Sequence, residues 1–305
     1  MSKVLIGMDK SRSFRVYLTI TTDMVETARK IHMTTPLATA GMGRVLTAAG
    51  IMGVMLKNKE DKLTLIIKGD GPAKQILATA DGDGNVKGYI ANPDVDLPLT
   101  KEGKLDVGGS IGIGDLTVIK DLGLKEPYMG TIALVNGEIA EDLTAYFFIS
   151  EQQNTSVALG VKIERDYKVG AAGGMIIQML PGAEEGSVDA LEEMIGKMPP
   201  LTTLIDGVSK RCAGKSEDGI VLELMNEIFG EMPEEYKVEP LESREIRWNC
   251  DCSEKRLEKA FVSQGKTDLT EILEEDGEAE LQCQFCLKKY HFDKPHLERI
   301  LEEMS

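Results

Sequence analysis

Two short cysteine motifs constrain this chain more than any other feature. Cys250-Asp251-Cys252 is followed, after thirty intervening residues, by Cys283-Gln284-Phe285-Cys286, so four of the five cysteines fall into two tight pairs near the C-terminus. Two close pairs of thiolates are what a tetrahedral Zn²⁺ ion requires, and the spacing reads as a closed Cys₄ site of Cys250, Cys252, Cys283 and Cys286. Strand-like residues from Gly277 to Leu281 and from Leu287 to Phe292 flank the CxxC, as a metal knuckle needs. The CxC is the unusual half. Residues i and i+2 of a straight strand sit ~7 Å apart, so Cys250 and Cys252 need an irregular turn after Ile246-Arg247-Trp248.

Two chemical readings of such a site stay open on spacing alone. The zinc is permanent and structural, which is the commoner use of a Cys₄ site. Alternatively an oxidant joins the sulfurs within each pair, the metal loses its ligands, and a small metal-dependent module unfolds with it. His291, five residues beyond Cys286, is a spare ligand that a full tetrahedron does not need, and Cys212 reads as a lone thiol.

The chain's 305 residues allow a large core with a small appended unit, and the N-terminal segment carries no apolar run long enough for a signal peptide. A cytoplasmic location follows as the expectation, and paired cysteines in a reducing compartment point to metal or redox chemistry. The net charge of −16 is unevenly placed. Residues 1–180 carry 20 basic and 21 acidic side chains, residues 181–240 carry 5 and 14, and residues 241–305 carry 10 and 16. Such a surface repels nucleic acid.

These shifts predict three parts: an N-terminal mixed α/β domain over 1–180, a helical linker over 181–240 and a small zinc-binding α+β domain over 241–305, α+β overall. Phe14, Val16, Leu18 and Ile20 alternate as a strand after the short run from Val4 to Met8. Asp23, with Glu26 three residues on, predicts a capped helix to about His32, and Thr35-Pro36 opens a second helix to about Leu56. That second helix is long and apolar enough to raise a membrane span, but Arg44 and several Gly and Thr residues favour packing against a sheet. Strands are expected at Leu63 to Lys68, Gln75 to Ala80, Val86 to Ile90, Leu116 to Lys120, Gly130 to Val135, Leu143 to Ser150 and Val157 to Ile163. Beyond Pro181, Val188, Leu191, Ile195 and Met198, then Ile220, Val221, Leu224, Met225 and Ile228, keep helical spacing. The last segment reads as a strand to Trp248, helices from Ser253 and from Asp268, the CxxC hairpin and a helix after Pro295.

Three other motifs fail on inspection. Gly108-Gly109-Ser110-Ile111-Gly112 matches a nucleophile elbow, yet no strand-turn-helix surrounds it and no histidine follows before His291. Gly214-Lys215-Ser216 lacks the first glycine of a P-loop, and Ser216 reads as a helix cap. Asp81 to Asn85 lacks the glycine and glutamate of a calcium loop and reads as a hairpin turn.

At the cysteine pairs the sequence resembles the redox-regulated 33-kilodalton heat-shock chaperones of bacteria. Trp248, Ser253, Glu275-Asp276 and Tyr290 accompany the cysteines, and the likeness extends through Gly69-Asp70-Gly71-Pro72, Gly88-Tyr89, Asn92-Pro93, Gly103 to Val107, Lys120 to Gly123, Ser150-Glu151-Gln152 and Gly173 to Ala183. The resemblance implies a protein that is not an enzyme but an ATP-independent holdase for unfolded or misfolded clients. It implies one Zn²⁺ on Cys250, Cys252, Cys283 and Cys286 in a reduced, largely inactive monomer. Oxidation would form disulfides of Cys250 with Cys252 and of Cys283 with Cys286, release zinc, unfold the C-terminal region and metastable linker, and yield an active homodimer. Clients would then pass to ATP-dependent foldase chaperones; no nucleic acid and no membrane is expected as partner. A zinc-ribbon nucleic-acid binder and a thiol oxidoreductase acting through Cys283 and Cys286 are the rival classes, the first opposed by the acidic C-terminal third and the second by the lack of a thioredoxin-like βαβ context.

Overall fold

The computed structural model describes residues 2–304, the side chains of residues 260, 263 and 264 excepted. Two compact units divide the chain, Met1–Asn249 and Cys250–Ser305. In the first, β1 (Ser2–Asp9) and β2 (Phe14–Ile20) lead to α1 (Thr22–His32) and α2 (Pro36–Val54), then β3 (Lys62–Gly69), β4 (Gln75–Asp81) and β5 (Asn85–Ile90). The short α3 (Val107–Ile111), β6 (Gly114–Asp121), β7 (Tyr128–Ala133), α4 (Ala140–Glu151), β8 (Thr155–Ile163) and β9 (Val169–Met179) follow. Three helices, α5 (Glu185–Lys197), α6 (Leu201–Arg211) and α7 (Glu217–Phe229), precede β10 (Val238–Trp248). The second unit holds α8 (Glu254–Gln264), α9 (Lys266–Glu275), β11 (Ala279–Gln282), β12 (Lys289–Phe292) and α10 (Lys294–Glu303).

Strands β1 to β10 form one sheet in the order β7-β6-β3-β4-β5-β10-β1-β2-β9-β8. The join is β10, antiparallel to β1 along its length but parallel to β5 at only two positions, Arg247 opposite Asn85 and Trp248 opposite Val86. Residues 241–248 therefore belong to the sheet of the first unit, and the division into compact units falls just before Cys250.

This sheet wraps α2, which touches strands from both halves. The Thr35 side chain caps α2 by accepting from the Ala38 N–H at 3.2 Å, Pro36 fits the first turn, and of the nineteen helical residues only Pro36 and Arg44 are not buried. Small residues make the approach possible, since a Cβ on Gly43 would stand 2.6 Å from Val25 and one on Gly53 2.8 Å from Ala80. By length and composition α2 passes the test for a membrane span, but its apolar window is 94% buried within the protein. Arg44 is accommodated by an ion pair with Glu138, whose other carboxylate oxygen accepts from the Gly108 N–H at 3.0 Å.

Alternation in β1, β2 and β9 sorts side chains into two cores. Val4, Ile6, Tyr17 and Ile176 join the core around α2. Leu5, Phe14, Val16, Leu18, Met175 and Ile177 point the other way into a second core, closed by Leu191 of α5, Leu204, Ile205 and Val208 of α6, and Val221, Leu224 and Met225 of α7. The acidic helices thus cover an apolar sheet face, each fully buried Leu or Ile contributing about 1.5–3 kcal/mol. Helix α6, which begins directly after Pro199-Pro200, is the piece of this cover that the sequence stripes did not separate.

Leu143 to Ser150, expected as a strand, is α4. Its aromatic and β-branched composition carries the strand signal, but Leu143, Tyr146 and Phe147 are buried at helical spacing while Phe148 and Ile149 are 64% and 62% exposed. The start of α4 is set by Asp142, fully buried, whose carboxylate accepts from the N–H groups of Val135 at 2.7 Å and Ile139 at 2.8 Å. The α1 cap also differs. Thr21 stands at the N-cap, Asp23 lies inside the first turn, and Glu26 turns away to Arg29 and to the Val169 N–H at 3.1 Å. After the elbow-like motif the chain leaves the end of α3 at Ile111 and enters β6 at Gly114. Ser216 does cap α7, accepting from the Gly219 N–H at 3.3 Å, and Asp81 to Asn85 is a hairpin turn.

Candidate metal centre

The second unit is built around six buried apolar side chains, Phe261, Leu269, Tyr290, Phe292, Leu297 and Ile300. That is a small core, with Phe261 and Phe292 meeting edge to face at 5.0 Å between ring centroids. Alternation in β12 sends Tyr290 and Phe292 inward, and β11 pairs with β12 in the register Gln282 opposite Lys289.

Between those strands the chain turns tightly. The Cys283 N–H donates to the Lys288 carbonyl at 3.0 Å and the Leu287 N–H to the Cys283 carbonyl at 2.8 Å, with Leu287 left-handed at φ 58°. The turn turns Cys283 and Cys286 toward one point. Cys252 arrives from the other side, one residue before Ser253, whose hydroxyl caps α8 by accepting from the Arg256 N–H at 3.3 Å. An N-terminal helix end favours negative charge on a neighbouring sulfur.

All four sulfurs, of Cys250, Cys252, Cys283 and Cys286, lie within 4.8 Å of one another. The Cys250 and Cys283 sulfurs are 3.7 Å apart and those of Cys252 and Cys286 are 3.3 Å apart. A tetrahedral ion with metal–sulfur bonds of about 2.3 Å needs sulfurs about 3.8 Å from one another, so this cluster can hold a metal ion and its donor set is that of zinc. His291 takes no part in the group; its ring faces Glu278 at 3.4 Å. Cys212, at the C-terminal end of α6, is buried in the second core of the first unit and is not one of the four gathered cysteines.

Cys250, Cys252 and Cys286 differ in how firmly they hold their protons. Burial pushes Cys252 up, but hydrogen bonding from the Tyr290 hydroxyl at 3.2 Å and from the neighbouring thiols outweighs it and brings Cys252 down to about 7. Burial raises Cys250 and Cys286. The Tyr290 hydroxyl, also 3.1 Å from the Cys252 carbonyl, is itself raised because it donates to that sulfur. Tyr290 is the residue that motif spacing alone did not place in the site; its signal was the alternation of β12, which turns Tyr290 to the same side as Phe292.

A second group, Glu254, Glu258 and His296, has carboxylates close enough to hold an ion. Arg299 already stands 3.0 Å from Glu258 and 2.7 Å from the His296 ring, so the group closes as an ion-pair network. The elbow-like Ser110 is 2% exposed and donates to the Val107 carbonyl at 2.7 Å, a buried hydroxyl with no access to substrate.

Comparison with known proteins agrees with this architecture. The family model described as Hsp33 protein matches residues 2–293. The chain is 45% identical over 304 residues to the 33 kDa chaperonin of Alkaliphilus oremlandii (strain OhILAs), covering 99% of this chain and 96% of that one. It is 46% identical over 302 residues to the 33 kDa chaperonin of Clostridioides difficile (strain 630), covering 99% of both. The crystal structure of the 33 kDa chaperonin from Thermotoga maritima superposes with a TM-score of 0.83 at 34% identity, over 99% of this chain and 98% of that one. A fold in which one large sheet carries a small four-cysteine unit, matched along its whole length by these proteins, places the chain in the Hsp33 family, a family of chaperones and not of enzymes.

Proposed function

We propose that this chaperone is a redox-regulated, ATP-independent holdase of the cytoplasm, acting in the stress response on unfolded or misfolded polypeptides. The observation that carries the reading is the gathering of four sulfurs within 4.8 Å in a unit whose buried core is small. Cys250, Cys252, Cys283 and Cys286 are the ligands of one Zn²⁺ in the reduced state. Zinc, when bound, keeps all four sulfurs as thiolates and supplies folding energy to the unit.

Oxidation by peroxide proceeds through the sulfurs of each pair. One thiolate attacks a peroxide oxygen, forming a sulfenic acid and releasing hydroxide; its partner then attacks that sulfur, expels a second hydroxide and closes the disulfide, two electrons passing to the oxidant. The pairs are Cys250 with Cys252 and Cys283 with Cys286. Without ligands for the metal, the C-terminal unit from Cys250 to Ser305 loses its support, and the linker helices within residues 181–240 loosen from the sheet they cover. Its departure would uncover Phe14, Val16, Leu18 and Met175, which together with the apolar stripes of α5 to α7 offer unfolding clients a surface. The reduced form is a monomer, the oxidised form a homodimer, and clients pass on to ATP-dependent foldases.

The test couples two readouts. Zinc release is followed with a chromogenic chelator while peroxide is added at heat-shock temperature, and the product is assayed for suppressing aggregation of a denatured reporter without ATP. The expected result is loss of about one zinc per chain together with gained suppression. Zinc that stays bound, or leaves with no gain in suppression, overturns the redox switch.

A further inference from the structure

The chain carries a net charge of −16, yet three cations converge where the sheet passes the C-terminal end of α2. Arg15, Lys57 and Arg244 line one cavity of about 480 Å³, whose lining includes Ile6, Tyr17 and Leu56. Glu242 is the one carboxylate among the lining residues, and it is engaged by Arg244 at 3.0 Å. Three cations against one acid leave an excess of two positive charges.

Ordinary helix capping explains part of this. Arg244 donates to the Val54 carbonyl at 3.2 Å, and Lys57 follows the helix end closely, both as expected for cations at a C-terminal dipole. Arg15 is different. It stands on β2, half-buried, with no carboxylate partner among the described residues; its Nη1 reaches only the Tyr17 hydroxyl at 3.5 Å, and its buried Nε has no hydrogen-bond partner. A buried guanidinium N–H without a partner is costly, and the planar fork that carries it is the group that receives a carboxylate or phosphate. Lys57 likewise has no ion pair among the described residues, whereas Lys59, in the adjoining cavity of 370 Å³, is already paired with Asp83 at 3.5 Å.

We propose that Arg15, Tyr17, Lys57 and Arg244 form a binding site for a compact anion of two or more negative charges, a phosphate ester or a di- or tricarboxylate. Arg15 and Tyr17 supply donors from β2, Lys57 supplies a mobile charge from the rim, and Arg244 closes the third side from β10. All the residues of this site lie within the first unit.

The test uses the full-length reduced protein with its metal, titrated calorimetrically with inorganic phosphate and with citrate at fixed ionic strength, chloride serving as control. Saturable binding of one anion per chain is expected, weakened at least tenfold in Arg15→Gln and in Lys57→Gln and little changed in Lys59→Gln. Exposed Lys57 tolerates substitution, so its variant decides the matter should Arg15→Gln fold poorly. Tighter binding of phosphate assigns the phosphate class and tighter binding of citrate the carboxylate class. Equal affinity in Lys57→Gln and parent, an equal loss in Lys59→Gln, or heat that tracks ionic strength alone overturns the proposal.

Discussion

Tyr290 holds the Cys252 sulfur from the inner face of β12, and removing its hydroxyl leaves the ring packing intact. Partners of a metal ligand typically change metal affinity by about 10–100-fold. Tyr290→Phe is therefore expected to lose zinc at least about tenfold faster to a chelator in stopped flow, and an unchanged rate would show that the hydroxyl does not restrain the sulfur. Glu26 offers a pH test elsewhere in the chain. Hydrogen bonds from the Arg29 guanidinium, aided by the Val169 N–H, hold its carboxyl at about 2. The folded value lies below the unfolded one, so this stabilisation is complete above about pH 4.3 and is lost as pH falls through about 2. Glu26→Gln should cost roughly 1.5–3 kcal/mol at neutral pH, with the gap to the parent narrowing toward pH 2 in urea unfolding. A gap that is constant with pH would rule this linkage out. The cysteines were legible at this scale because their spacing is itself the chemistry, whereas Glu26 carried a capping signal that the pairing with Arg29 and β9 overrode.

Among the elements, α6 shows most directly how the apolar sheet face is covered. Ile205 is fully buried there, and its Cδ1 stands 2.5 Å from where a Cβ on Gly173 of β9 would lie. Ile205→Ala should destabilise this layer by about 2–5 kcal/mol, raising amide exchange in α6 and capture of unfolded reporter by the reduced protein. Faster exchange with no gain in capture would separate the helical cover from client binding. In α4, Asp142→Ala removes the acceptor shared by the Val135, Asn136, Gly137 and Ile139 N–H groups. The expected loss is about 3 kcal/mol or more in thermal unfolding, and a loss under about 1 kcal/mol would mean that water replaces the carboxylate there. This turn was hidden in the sequence, since an aspartate four residues before Tyr146 reads equally as a loop residue, and the run after it has strand composition.

At the scale of the whole molecule the two units differ in what stabilises them. The first has two extensive cores meeting across β1, β2 and β9; the second has six buried apolar residues and four gathered sulfurs. Chelating the metal from the reduced chain is expected to abolish the amide protection of Cys250–Ser305 while that of β1, β2 and α2 persists. Protection that survives chelation throughout the second unit would show that its apolar core suffices without metal.

Local pattern in the sequence determined the cysteine cluster, the central apolar helix, most of the strands and the amphipathic helices, because ligand spacing and side-chain periodicity are properties of short segments. Tertiary structure decided what those segments do together. That β10 joins both halves of one sheet depends on two residue pairs far apart in sequence, Arg247 with Asn85 and Trp248 with Val86. The helical identity of α4 depends on a buried carboxylate gathering N–H groups from the preceding turn, and the burial of Phe14, Val16 and Leu18 depends on helices nearly two hundred residues later in the chain. Long-range pairing has no local signature, so the face that α5 to α7 cover, and the convergence of Arg15, Lys57 and Arg244, emerge only from the fold.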